Sequence, residues 1–257
     1  MKKSSFYLIV LLALMMTSIG AKAQGGLTPL VNSTHTYSVT PGGGGNTYAW
    51  SIVEGTPGTN YTLTDGSTTT ATILWKLAGT YTLQFRETSA SSCITLIEKT
   101  VVVSANTFDV TTPPTLADLC NEASGVPNYA SSTVATTVTF TVNMATGISS
   151  FNPNWEFNFT LTPSASTSIA SVASNAGTLT GTGPYNVTAV PSGPGTGTGT
   201  ATITLEFTGD INTAHTVAIA ITSAKELTYN TPSNNSGNKS ATQTVNAIPA
   251  TTGFSAN

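Results

Sequence analysis

Between Thr70 and Glu87 the chain reads TATILWKLAGTYTLQFRE, and its large apolar side chains fall on every second residue: Ile73, Trp75 and Leu77, then Tyr81, Leu83 and Phe85. A period of two marks a half-buried strand, whose side chains alternate between a core face and a solvent face. The pattern recurs along the chain. Tyr48, Trp50 and Ile52 share one face of TYAWSI, Trp155, Phe157, Phe159 and Leu161 share another, and Ala201, Ile203, Leu205 and Phe207 a third. Trp50, Trp75 and Trp155 therefore read as core aromatics, each in phase with a larger apolar stripe. Two sheets facing one another would bury all three.

The alternation predicts strands over 34–39, 46–53, 61–64, 70–77, 80–87 and 94–103, separated by turn chemistry at PGGGG, EGTPG, Asp65-Gly66 and Ala78-Gly79. A second series is expected over 133–144, 155–161, 168–173, 185–190, 200–207, 215–223 and 241–247. Thr, Ser, Gly, Asn and Val dominate, and helix-forming Leu, Glu, Lys and Arg are scarce, so the fold class is all-β. The proline pair in SANTFDVTTPP reads as a linker, and TLADLCNEASG is the one stretch that could form a helical turn. The glycines of PSGPGTGTGT loosely resemble a phosphate-binding loop, but a strand pattern follows them where such a loop needs a helix amino terminus, so they read as a flexible hairpin loop.

The first residues combine Lys2 and Lys3, an apolar run from Phe6 to Met16 and a small-residue ending at Ala21-Lys22-Ala23, the three-part pattern of a secretory signal peptide. The expected organisation is a signal peptide over 1–23, a β-sandwich over 24–105, a linker with a short helical turn over 106–132, and a second sandwich with a polar tail over 133–257. No stretch approaches the roughly 20 apolar residues of a spanning helix, so no membrane insertion is expected. Loss of the leader would leave five basic residues against eleven acidic ones. Five scattered cations cannot form the positive face that neutralises phosphates, which argues against nucleic acid as a partner. Cys93 and Cys120 are the only cysteines, and in an oxidising compartment they are a disulfide candidate pair.

The succession TYAWSIVEG, an ILW strand, GTYTLQFRE, and Cys93 ahead of the Val101 to Val103 strand resembles the PKD-like, immunoglobulin-like modules common in exported proteins of the Bacteroidota. The likeness covers roughly 29–105. More weakly, the second half, with its ATQTVNAIPAT ending, resembles the β-sandwich repeats of the same kinds of surface protein. The resemblance implies two tandem immunoglobulin-like sandwiches acting as an extracytoplasmic interaction module in the periplasm, at the cell surface or outside the cell. It does not extend to the carboxy-terminal sorting domain of the type IX secretion pathway.

Chemistry-bearing residues are few. His35 and His215 stand in different halves, too little for a zinc site or a triad. Glu87, Glu98, Glu156 and Glu206 could supply the carboxylate pair of a glycosidase, yet small sandwiches lack the deep cleft such pairs occupy, so they read as solvated charges. No cofactor, metal site or catalytic residue is expected. Tyr61, Tyr129, Tyr185 and Tyr229, near loops or strand ends, are the aromatics that could lie against a sugar. The reading is therefore an exported, non-enzymatic structural and protein-interaction component whose partners are envelope or surface proteins, with a glycan-binding module of a polysaccharide-capture system as the alternative.

Overall fold

The computed structural model describes residues 26–114, 116–120, 133–165 and 167–248. These divide into two compact units at the step from Ala105 to Asn106. The expected signal peptide and Tyr129 lie outside the described residues.

The first unit holds six strands: β1 (Thr34–Ser38), β2 (Thr47–Ile52), β3 (Tyr61–Thr64), β4 (Thr70–Trp75), β5 (Gly79–Thr88) and β6 (Ile94–Val103). They form two three-stranded antiparallel sheets, β1-β4-β3 and β2-β5-β6. Only β3–β4 and β5–β6 are hairpins. Every other connection crosses between the sheets, so Gly79, expected as a simple turn, opens a strand on the sheet opposite β4. The inward stripe of each strand closes one core of Trp50, Ile52, Tyr61, Ala71, Ile73, Trp75, Tyr81, Leu83, Phe85, Val101 and Val103. Trp75 is fully buried between Tyr61 and Tyr81 and donates its indole N–H to the Tyr37 hydroxyl at 3.1 Å. The Trp50 indole donates to Thr68 O at 2.9 Å, so both rings satisfy their one polar atom while buried. Each is a wall of the core.

The second unit is a larger sandwich of β7 (Asp109–Thr111), β8 (Leu119–Cys120), β9 (Thr133–Ala145), β10 (Trp155–Pro163), β11 (Ser168–Ser174), β12 (Thr178–Thr180), β13 (Tyr185–Val190), β14 (Thr198–Asp210), β15 (His215–Glu226) and β16 (Ser240–Asn246). One sheet runs β12-β13-β10-β15-β16-β8 and the other β11-β14-β9-β7. Their facing stripes bury Trp155, Phe157, Phe159, Phe140, Ile203, Leu205, Val217 and Ile219 among others. Each unit is thus an immunoglobulin-like sandwich, two mainly antiparallel sheets packed face to face.

Three expectations differ from the structure. The linker expected over 106–132 contributes two strands to the second sandwich. Phe108 and Val110 alternate into its core, and β7 pairs with β9 before Pro113 ends it. Leu119 and Cys120 pair in parallel with Val245 and Asn246, and Gln243 donates to Ala117 O at 2.7 Å, so the described part of the expected helical turn is extended chain. The glycine-rich loop after β13 is likewise no hairpin, because it carries the chain from one sheet to the other. Gly197 shows why that loop needs its glycines: φ is +63°, and a Cβ would stand 2.3 Å from Ile148 O.

Candidate functional site

The carboxylates sort into three environments, and the most buried ones are taken up by the protein's own backbone. Glu87, expected as a solvated charge, is buried. It accepts from Gly42 N at 3.1 and 3.2 Å and from Asn46 Nδ2 at 2.6 Å, tying the PGGGG loop to β5. Glu226 is fully buried at the end of β15. Its Oε1 accepts from Asn106 Nδ2, Tyr229 N and Thr231 N, and its Oε2 accepts from Thr228 N and Tyr229 N, at 2.7–3.2 Å. A carboxylate wrapped in that many donors holds a loop. It has no lone pair left over for a substrate. Glu156 pairs with Lys225 at 3.4 Å, Glu98 accepts from Gln84 at 2.6 Å, and Glu206 is exposed.

The sequence reading passed over Asp109, which anchors the segment ahead of β16. Its Oδ1 accepts from Ser233 Oγ at 2.6 Å and from Lys239, and its Oδ2 accepts from Ser236 Oγ and Gly237 N at 2.9 Å each. Lys239 also donates to Val110 O and to Ser233 Oγ. Desolvation pushes the Asp109 carboxyl up, but hydrogen bonds from Lys239, Ser233 and Ser236 and the Lys239 charge outweigh it and hold it well below the usual carboxylate range. A folded-state value below the unfolded one, near 3.9, means that stability is present above about pH 4 and drains away as pH falls toward the folded value. Denaturant titrations of the full chain from pH 7 down to pH 2 should therefore lose stability below about pH 4, and Asp109→Asn should flatten that loss. An unchanged acid profile in the variant would show that Asp109 is not so held.

The aromatic candidates for sugar contact are occupied by their own neighbours. Tyr61 is core, packed edge-on against Trp75. Tyr185 is half-buried and stacks on Phe159 at 5.1 Å, and Tyr229 is half-buried and stacks on Phe151 at 5.4 Å. A sugar needs an open ring face: Tyr61 is buried, and Tyr185 and Tyr229 each have one face taken by a neighbouring Phe ring.

Neither cysteine forms the expected bridge. Cys93 lies exposed at the β5–β6 hairpin of the first unit and Cys120 lies exposed at the end of β8 in the second, both as free thiols. His35 sits near Ser33 Oγ at 2.9 Å, and burial lowers its pKa. His215 is buried against Asp210 O at 2.8 Å. Among the described residues no group of three or more His, Cys, Asp and Glu converges in a way that could hold a metal ion. Nor is any described helix long and apolar enough to cross a membrane.

What remains open is a strand edge. Among the described residues seven large hydrophobic side chains are exposed, Leu27, Val53, Leu77, Ile94, Leu96, Ile97 and Val102, and of these four stand on β6 and Leu27 lies beside it. β6 is an outer strand of its sheet. A groove of about 160 Å³ opens next to it, lined by Leu27, Tyr37, Val39, Trp50, Phe85 and Ile97, with Lys99 among its walls. Period-two reasoning had placed these residues on a strand, but it could not say that the strand would be an edge.

No family model matches the chain, and no curated protein matches it. Among solved structures it is similar to the PKD domain of the KIAA 1837 protein, at 17% identity over 32% of this chain and 85% of that one, with a TM-score of 0.26. It is also similar to CfaE, the adhesive subunit of the CFA/I fimbria of enterotoxigenic Escherichia coli, at 10% identity over 79% of this chain and 73% of that one, with a TM-score of 0.35. A third likeness is to the I9–I11 tandem of titin, at 12% identity over 86% of this chain and 62% of that one, with a TM-score of 0.33.

Proposed function

We propose that the chain is an exported, non-enzymatic structural and protein-interaction module of adhesion type, working at a bacterial envelope or cell surface. The observation that carries this reading is the concentration of exposed apolar side chains on β6, at a sheet edge beside an apolar groove. Solvated sheet edges are usually blunted by charge, proline or bulges, so an apolar edge is a place for another chain. The engagement of Glu87, Asp109 and Glu226 with the protein's own loops points the same way, since those carboxylates serve architecture.

Such contacts rest on backbone pairing and apolar burial, so they should resist salt. Chemical cross-linking of the full chain to envelope fractions of its native organism, read by mass spectrometry, should give protein adducts that persist in about 1 M NaCl, where the screening length falls to about 3 Å. Glycan-array binding without any protein adduct would overturn the reading. So would hydrolysis of a glycoside or peptide that is lost on Glu98→Gln, Glu156→Gln or Glu206→Gln.

A further inference from the structure

The geometry of β6 says which of its groups are available. Val102 N donates to Leu27 O and Ser104 N to Pro29 O, both at 2.9 Å, so the even-numbered residues at this end turn their backbone away from β5. Val53 N donates to Thr82 O on the far side of β5, which fixes the same alternation across the sheet. Backbone direction in a strand repeats every second residue, so Ile94, Leu96, Glu98 and Thr100 also point their N–H and C=O groups outward. The chain's own Leu27–Val31 segment covers the edge only at Val102 to Ser104. Seven residues, Ile94 to Thr100, are left uncovered by the described residues, about 23 Å of strand at about 3.3 Å per residue.

Each face of this stretch carries exposed apolar side chains. Ile94 and Leu96 are 55% and 52% exposed on the outer face, while Ile97, 38% exposed, faces the groove with Phe85 and Trp50. The cations add a second signal. Lys76 donates to Gly58 O at 2.9 Å, Lys225 pairs with Glu156, and Lys239 pairs with Asp109. Arg86 and Lys99, the other two basic residues described, have no acidic partner among the described residues, and both flank the free edge. Arg86 lies directly across from Leu96 on the outer face, and Lys99 lines the groove two residues from Ile97. In a chain with more acids than bases, unpaired cations on either side of an open apolar strand ask for an acidic partner.

We propose that the free edge of β6 from Ile94 to Thr100 takes, by strand addition, an extended segment of a partner protein in which apolar β-branched residues alternate with acidic ones. This occupant presupposes that the chain is an interaction module and names the partner's chemistry. The segment extends the line of backbone pairing that Leu27–Val31 begins on the same edge. Its main-chain groups pair with the outward groups of Leu96 and Glu98, its apolar side chains share one face and enter the groove over Ile97, and its acids, on the other face, reach Arg86 across Leu96. A second copy of this chain fits less well. Antiparallel self-pairing over all seven residues centres on Ile97 and sets the apolar Ile94–Ile97 half of one copy against the polar Glu98–Thr100 half of the other, with Lys99 opposite Thr95.

The test uses a fluorescent peptide, Val-Asp-Val-Thr-Val-Glu-Val, the same peptide with both acids replaced by lysine, and the acidic peptide with alternate amides N-methylated along one edge. Anisotropy should show saturable binding of the acidic peptide to the full chain and much weaker binding of the other two. Leu96→Pro removes an outward N–H that β5 does not use, and it should weaken acidic-peptide binding about tenfold, the scale of one lost hydrogen bond. The double variant Arg86→Glu and Lys99→Glu alters exposed charge alone. It should bind the acidic peptide at least about tenfold more weakly and bind the lysine peptide better, which keeps the test valid if the proline variant fails to fold. Absence of saturable acidic-peptide binding overturns the proposal, as does binding indifferent to N-methylation or to charge reversal. A concentration-dependent dimer abolished by Leu96→Pro would give the edge to a second copy and overturn it too. Salt-resistant envelope adducts that persist in the charge-reversed variant would sink the β6 proposal while leaving the interaction-module reading standing.

Discussion

Replacing Trp75 by alanine should cost the first sandwich about 3–5 kcal/mol, the range for deleting a large aromatic side chain from a packed core. The ring is fully buried, it touches Tyr61 and Tyr81, and its N–H holds the Tyr37 hydroxyl, so the substitution opens a cavity and strands a polar group at once. Domains of this size are stable by only about 5–15 kcal/mol, so the variant sits close to unfolding at ambient temperature. Denaturant unfolding followed by circular dichroism should show a low-denaturant transition for the first unit, with the second unit's transition little changed. A loss smaller than about 1 kcal/mol would mean that the ring is not a core element.

Trp75 also shows what was legible in the sequence and why. Its position on a period-two stripe fixed its face, and the strands over 61–64, 94–103 and 185–190 follow directly from the same alternation. The three short strands β7, β8 and β12 were not legible, because two or three residues carry no measurable period. Phe108 and Val110 do alternate, but the proline pair behind them dominated the reading. Which strands lie next to each other was equally hidden. Alternation says which side of a strand is apolar, and it is silent about the neighbour, so the turn expected at Ala78-Gly79 and the hairpin loop expected in PSGPGTGTGT proved to be crossovers between sheets.

The candidate surface was missed for the same physical reason. Ile94, Leu96 and Ile97 read as strand residues like any others, and only the order β2-β5-β6 turns them into an exposed edge. The polar ties were invisible for a different reason. Asp109 meets Ser236 and Lys239 across more than a hundred residues of chain, and nothing local marks a carboxylate whose partners lie that far away. In a chain with 7% charged residues, however, a lone acid or base is itself a signal.

Glu226 carries that logic furthest, and Glu226→Gln should be among the most damaging conservative changes in the second sandwich. The substitution keeps shape and volume but turns one acceptor oxygen into an NH₂ group. Oε1 receives Asn106 Nδ2, Tyr229 N and Thr231 N, while Oε2 receives Thr228 N and Tyr229 N, so either orientation of the amide points donors at at least two donors. In the better orientation, with the amide nitrogen at the Oε2 position, Tyr229 N keeps Oε1 and Thr228 N loses its acceptor, which places the variant about 1–3 kcal/mol below the parent. The damage should be local before it is global. The 227–231 turn is tied to β15 by these bonds and by the Glu226 N to Thr231 O pair, and Tyr229, stacked on Phe151, hangs from the same turn. Amide hydrogen exchange should therefore rise first at Thr228, Tyr229 and Thr231, at denaturant concentrations where β9 and β14 remain protected. Unchanged exchange at those three amides would show that the carboxylate is not what holds the turn.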